Sequence, residues 1–183
     1  MKRIFMLLAP LALMLVAAMA LSGVAQAAPV GSKADAQCLT LASKTLGPGF
    51  NPSNYAFHGG TAGNDNFTGQ GTEGKGDVFC GFGGDDSIDT LGGGDIFIGG
   101  DGNDTVYDND GTFNGGAGGD SVTHYNNGTF NGDAGDDSVS INAYIFNGGA
   151  GNDSVTQNFN TFNGGDGIDS VVANNGGTLV DVP

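Results

Sequence analysis

Phenylalanine returns along this chain at a nearly fixed interval: Phe79, Phe97, Phe113, Phe130, Phe146 and Phe162 stand 18, 16, 17, 16 and 16 residues apart, and Leu179 follows 17 later. A second apolar series, Ile88, Val106, Val122, Val139, Val155 and Val171, keeps the same intervals. Polar residues flank both: Ser121 and Thr123, Ser138 and Ser140, Ser154 and Thr156 around the valines, and Thr112 and Asn114, Thr129 and Asn131 around the phenylalanines. Such alternation marks a strand with one buried face. Each repeat holds two triplets, so one coil is two short strands joined by two turns, with a Phe and a β-branched residue inward and their neighbours in water. Stacked coils of this kind form parallel strands about 4.8 Å apart. The expected fold is all-β, a parallel β-roll (β-solenoid) of about seven coils.

Residues 28–58 lie outside the repeat. Asp35 to Leu46 predicts a short helix ended by Gly47-Pro48, with Leu39, Ala42 and Leu46 on one face. Its expected place is over the exposed first coil, since the ends of a solenoid need covering. Before it, Met1-Lys2-Arg3 leads into an apolar run from Ile4 to Leu21 and small residues ending Ala25-Gln26-Ala27. That is the pattern of a secretory signal peptide cut after Ala27. The expected organisation is a signal segment over 1–27, a cap and linker over 28–58 and the roll over 59–183. The product would be secreted, extracellular and without a membrane span after cleavage. In an exported chain, Cys38 and Cys80 favour a disulfide between cap and roll over two free thiols.

Composition by itself argues against any fold. The chain has 36 glycines and no tryptophan, and past Ala27 three lysines face 20 acids, a net charge of −17. Such a sequence ordinarily stays disordered, and only the repeat reverses that expectation. The charge also excludes nucleic acid as a partner.

The acids recur as regularly as the phenylalanines. Three nine-residue units run without a gap, GFGGDDSID from Gly81, TLGGGDIFI from Thr90 and GGDGNDTVY from Gly99, preceded by looser copies GTAGNDNFT from Gly60 and TEGKGDVFC from Thr72. Later copies begin at Gly115, Gly132, Gly148 and Gly164: GGAGGDSVT, GDAGDDSVS, GGAGNDSVT and GGDGIDSVV. The pattern G-G-x-G-x-D-x-U-x, with U apolar, resembles the calcium-binding nonapeptide repeats of RTX, or haemolysin-type, proteins. The resemblance spans roughly 60–174. It implies a β-roll in which calcium lies between stacked turns, held by the motif aspartates and nearby carbonyls. The implied ligands are Asp86, Asp104, Asp120, Asp137, Asp153 and Asp169 on one edge, Asp77 and Asp95 on the other, and Asp65 in the divergent first unit. The implied carbonyls lie near Gly83, Gly99, Gly100 and Gly102, near Gly115, Gly116 and Gly118, and near Gly132 and Gly135. They continue near Gly148, Gly149 and Gly151, and near Gly164, Gly165 and Gly167.

Calcium also has a physical case of its own. It takes six to eight oxygens, and glycine-rich turns can aim several carbonyls inward. Like charges on rungs under 5 Å apart need cations between them. The expected load is about five to seven Ca2+ ions. The later coils depart from the pattern by alternating a full motif with a shorter unit lacking the aspartate, such as HYNNGTFN from His124. There calcium is expected on one edge only, and Asn114, Asn131, Asn147 and Asn163 are expected to stack their amides along the axis.

Nothing in the chain reads as a catalytic constellation. His58 and His124 are expected in a linker and a turn, with no HExxH or GxSxG around them. The expected role is therefore not enzymatic: a calcium-folded structural or adhesive module, with cell-surface or matrix components as candidate partners. The alternative is calcium-dependent ice binding through outward Thr ladders, weakened by Ile145 in the rank of Thr112, Thr129 and Thr161.

Overall fold

Each Phe-centred triplet is a strand of one sheet and each Val-centred triplet a strand of the other, in a computed structural model that describes residues 25–26, 32–68 and 75–183. The expected signal segment lies outside the described residues except for Ala25 and Gln26. One eight-stranded sheet holds β1 (Ala25–Gln26), β3 (Asp65–Phe67), β5 (Ser87–Leu91), β7 (Thr105–Asn109), β9 (Ser121–Asn126), β11 (Ser138–Asn142), β13 (Ser154–Asn158) and β15 (Ser170–Asn174). The other holds β2 (Tyr55–Gly59), β4 (Gly76–Gly83), β6 (Ile96–Asp101), β8 (Thr112–Ala117), β10 (Thr129–Ala134), β12 (Ile145–Ala150), β14 (Thr161–Asp166) and β16 (Leu179–Val180). The chain alternates between the sheets and every pairing is parallel, so this is an all-β parallel β-solenoid of about six full turns. In the second sheet strand pairing reaches back to Tyr55, which lies opposite Gly76.

Register follows the apolar series. Phe113 stands opposite Phe97 and Phe130, Val122 opposite Val106 and Val139, and Leu179 closes the first series against Phe162. From Phe97 to Phe162 the rings are buried and stacked, with centroids 4.6 to 5.1 Å apart. That spacing is the rung spacing, so identical rings stack without adjustment. Each buried Phe contributes roughly 1.5–3 kcal/mol. The flanking positions are less uniformly wet than alternation implies: Asn114 is only 8% exposed.

The first coils differ. Val78-Phe79-Cys80 and Ile96-Phe97-Ile98 are apolar at all three positions, so β4 and β6 have a second apolar face, which α1 (Lys33–Leu46) covers. The helix packs against β2 and β4 and covers the first coils across their outer face rather than across the open end. Ser32 caps it by accepting from the Asp35 N–H, while the Ser32 N–H donates to Asp35 Oδ2. Asp35 Oδ1 accepts from the Gly59 N–H at 3.1 Å, which fixes the helix start to β2. The helix face also differs from the expected one. Asp35, Cys38 and Ala42 are buried, Leu41 and Leu46 pack beside them, and Leu39 is left out. Cys38 is bonded to Cys80 on the outer face of β4, and that disulfide turns the adjacent Leu39 away.

Candidate functional site

At one corner of every coil the chain leaves an even-numbered strand, makes a glycine-rich turn and enters an odd-numbered strand directly after a motif aspartate. Parallel register stacks these aspartates into one ladder. The Asp65 N–H donates to Asp86 Oδ1, and the same bond repeats from Asp86 to Asp104, Asp104 to Asp120, Asp120 to Asp137, Asp137 to Asp153 and Asp153 to Asp169, at 2.7–2.9 Å. All seven are buried, with at most 5% of the residue exposed. One carboxylate oxygen of six of them, all but Asp65, is thereby used. The other, Oδ2 in Asp86, Asp104, Asp120, Asp137, Asp153 and Asp169, is buried with no hydrogen-bond partner. Asp65, at the start, inverts the pattern: Oδ2 accepts from the Thr61 N–H, and Oδ1 is left without a partner.

The unpaired oxygen explains the first glycine of the motif. A Cβ on Gly81, Gly99, Gly132 or Gly148 would collide with Oδ2 of the aspartate five residues on and stand 2.5–2.7 Å from the next coil's glycine carbonyl. That small cradle brings together two acceptors, the carboxylate oxygen and the carbonyl. Buried oxygens without donors strain the charged state. Burial, opposed by the hydrogen bond from the preceding coil and reinforced by neighbouring carboxylates, pushes Asp86 up to about 7, Asp104 to about 6, Asp120 to about 8 and Asp137 to about 7. Burial likewise raises Asp153. The donor set is hard oxygen throughout, as calcium prefers, and one orphaned carboxylate oxygen recurs at every rung. The residues present fit a divalent hard cation in chemistry.

The expected carbonyls divide. Those of Gly99, Gly115, Gly148 and Gly164 lie toward the cradle of the preceding coil. Those of Gly100, Gly102, Gly118, Gly135, Gly149 and Gly151 point along the axis at the equivalent glycine of the next coil, close enough that a Cβ there would collide. Among the described residues no three His, Cys, Asp or Glu side chains group as a metal site, so any ion on this edge would lean on backbone oxygen.

Asp77 and Asp95 stand apart on the opposite corner, where the Asp77 N–H donates to Asp95 Oδ1 at 2.9 Å. His58 Nε2 meets Asp77 Oδ1 at 2.7 Å and its ring stacks on Phe79. His58 is thus a strand residue that starts this short ladder, not a linker residue. His124 also lies in a strand, β9, with Nδ1 2.9 Å from Asp108 Oδ1 and its ring against Tyr107.

Beyond Leu91, which stands opposite Asn109, the opposite corner changes chemistry. Asn109, Asn126, Asn142, Asn158 and Asn174 form an amide ladder in which each Nδ2 donates to the next Oδ1 at 2.7–3.4 Å. The first three also donate to a carbonyl three residues beyond that partner: Thr129, Ile145 and Thr161. Sequence reasoning misses this ladder, although its first intervals of 17, 16 and 16 match those from Phe113 to Phe162. The expected stack holds from Asn114 through Asn131 to Asn147, while Asn163 Oδ1 has no partner. The outward threonine rank reads Ile96, Thr112, Thr129, Ile145, Thr161 in register.

Compared with known proteins, the chain matches no protein-family model, no curated protein and no solved structure. Its class therefore rests on its own geometry: a β-solenoid repeat protein with a regular aspartate ladder. Among the described residues no helix is long and apolar enough to cross a membrane.

Proposed function

We propose that the chain is a calcium-binding repeat module of the RTX, or haemolysin, type, secreted and completing its fold on calcium outside the cell, where it serves as a structural or adhesive element. One observation carries this reading: seven buried, stacked carboxylates each keep an oxygen with no partner. Calcium there would neutralise like charges on adjacent rungs. Asp65, Asp86, Asp104, Asp120, Asp137, Asp153 and Asp169 would hold it, with the carbonyls of Gly99, Gly115, Gly148 and Gly164. Asp77 and Asp95 offer one further interval. A load of five to seven ions matches the spacing of the ladder. Secretion rests on the N-terminal charge and apolar pattern alone. The module is read as non-enzymatic on the sequence alone, in which no HExxH or GxSxG surrounds either histidine.

Circular dichroism of the secreted chain, titrated with calcium from chelator, tests the reading. A cooperative gain of β signal is expected, with half-saturation near 0.1–1 mM. A chain fully folded in chelator, with no heat of calcium binding, refutes it. Ice binding gains no support, since the outward rank carries isoleucine at two of its five positions.

A further inference from the structure

The second residue of each motif turn adopts a left-handed backbone: Gly100, Gly116, Gly149 and Gly165 have φ between 100° and 120°. Two non-glycines occupy this station, Phe82 at φ 74° and Asp133 at φ 71°. Either side chain costs roughly 1 kcal/mol of strain or more there. Phe82 has a compensation, since its ring packs against the cluster under the cap. Asp133 has none of that kind. It is exposed, it lies opposite Gly116 and Gly149 in the ladder of strands, and its charge acts on both the Asp120 and the Asp137 carboxyl. Both of those are 1% exposed with an unpartnered Oδ2. A third like charge beside two buried ones, held at a backbone cost, is unfavourable unless something positive sits among them.

Resting on the calcium reading above, we propose that the interval between the Asp120 and Asp137 turns is the tightest cation site of the roll and the first to fill, because Asp133 is the one acid held at a left-handed backbone position in a motif turn, whereas the charges that Asp85 and Asp136 add at neighbouring intervals come without that cost. The ion is a hard divalent cation of calcium's size. Asp133 attracts it electrostatically, while the ladder carboxylates and turn carbonyls hold it. Filling therefore starts in the middle of the roll and spreads to both sides, as neighbour-coupled repeats allow.

Calorimetric titration of the disulfide-bonded chain with calcium, for wild type, Asp133→Gly, Asp133→Asn and Asp166→Asn, tests this. Asp133→Gly and Asp133→Asn should each weaken the first binding step about tenfold, leaving later steps within twofold. Asp133→Gly should also melt higher than Asp133→Asn in chelator, because only glycine relieves the backbone. Asp166→Asn removes an exposed acid from the last motif turn and should leave the first step unchanged. Equal weakening by Asp166→Asn, or an unchanged first step in Asp133→Gly, overturns the assignment of the first site. A wild-type chain that takes up no calcium instead removes the reading beneath it.

Discussion

The two corners of the solenoid solve the same stacking problem with side chains that differ by one group. At the asparagine corner each amide brings a donor and an acceptor, so Asn126 accepts from Asn109 and donates to Asn142 and to the Ile145 carbonyl. At the aspartate corner the ionised carboxylate only accepts. Its one available donor is the backbone N–H of the preceding coil, and the second oxygen is stranded. Identical coil geometry thus gives one edge whose side-chain polar groups are paired along the ladder and one that leaves an oxygen of each carboxylate without a partner. The difference lies in the chemistry of a single position rather than in the fold.

The largest break should come from removing the space on which the aspartate corner depends. Gly132→Ala would drive a methyl into the Asp137 carboxylate and toward the Gly148 carbonyl. The roll should lose about 3 kcal/mol in calcium, read as a lower midpoint in urea. Crossing the two chemistries should come next. Asn126→Asp removes both amide donations and buries a charge, for a loss of about 3 kcal/mol at neutral pH that added calcium does not restore. Asp137→Asn should act in the opposite sense in chelator, gaining about 1 kcal/mol as an amide replaces a stranded oxygen, while weakening calcium uptake. If both exchanges destabilise alike in chelator, the corners do not differ as described.

Acidity should sharpen the contrast without mutation. The raised carboxyls, from about 6 at Asp104 to about 8 at Asp120, bind protons more tightly in the folded roll than in an unfolded chain. Without calcium, that stabilisation is therefore full below about pH 4 and is lost as pH rises through 6 to 8. Calcium competes with the same protons, so its affinity should rise across that window. Thermal melts in chelator and in calcium at pH 5 and pH 8 should cross; parallel curves would contradict the charge argument. The smallest effect belongs to Asp108→Ala, which frees His124 and the Tyr125 N–H on the outer surface. About 1 kcal/mol or less should be lost, with the calcium titration unmoved.

Much of this was legible because a repeat reports the same position many times. The Phe and Val series fixed strand, register and inward face, and the motif aspartates fell where the spacing put them. The asparagine ladder is equally periodic. It escapes notice because isolated Asn residues near turns look like ordinary turn formers. The cap resisted for another reason: its face is set by one covalent bond, Cys38 to Cys80, which outweighs the helical period that would have buried Leu39. No periodicity could have shown which carboxylate oxygen is stranded, since that depends on the direction in which each backbone N–H points.

The disulfide has a mechanical consequence. It pins the helix to β4, so the first coils cannot be stripped away from the cap by tension. The far end is held by β16, two exposed residues paired with β14, and by Val182 against the core. Force applied along the chain should therefore peel the roll from the β16 side, one coil at a time. Each event would release about sixteen residues, or roughly 50 Å of contour. Stacked amides on one corner and, on the calcium reading, bound ions on the other would yield together as each coil leaves.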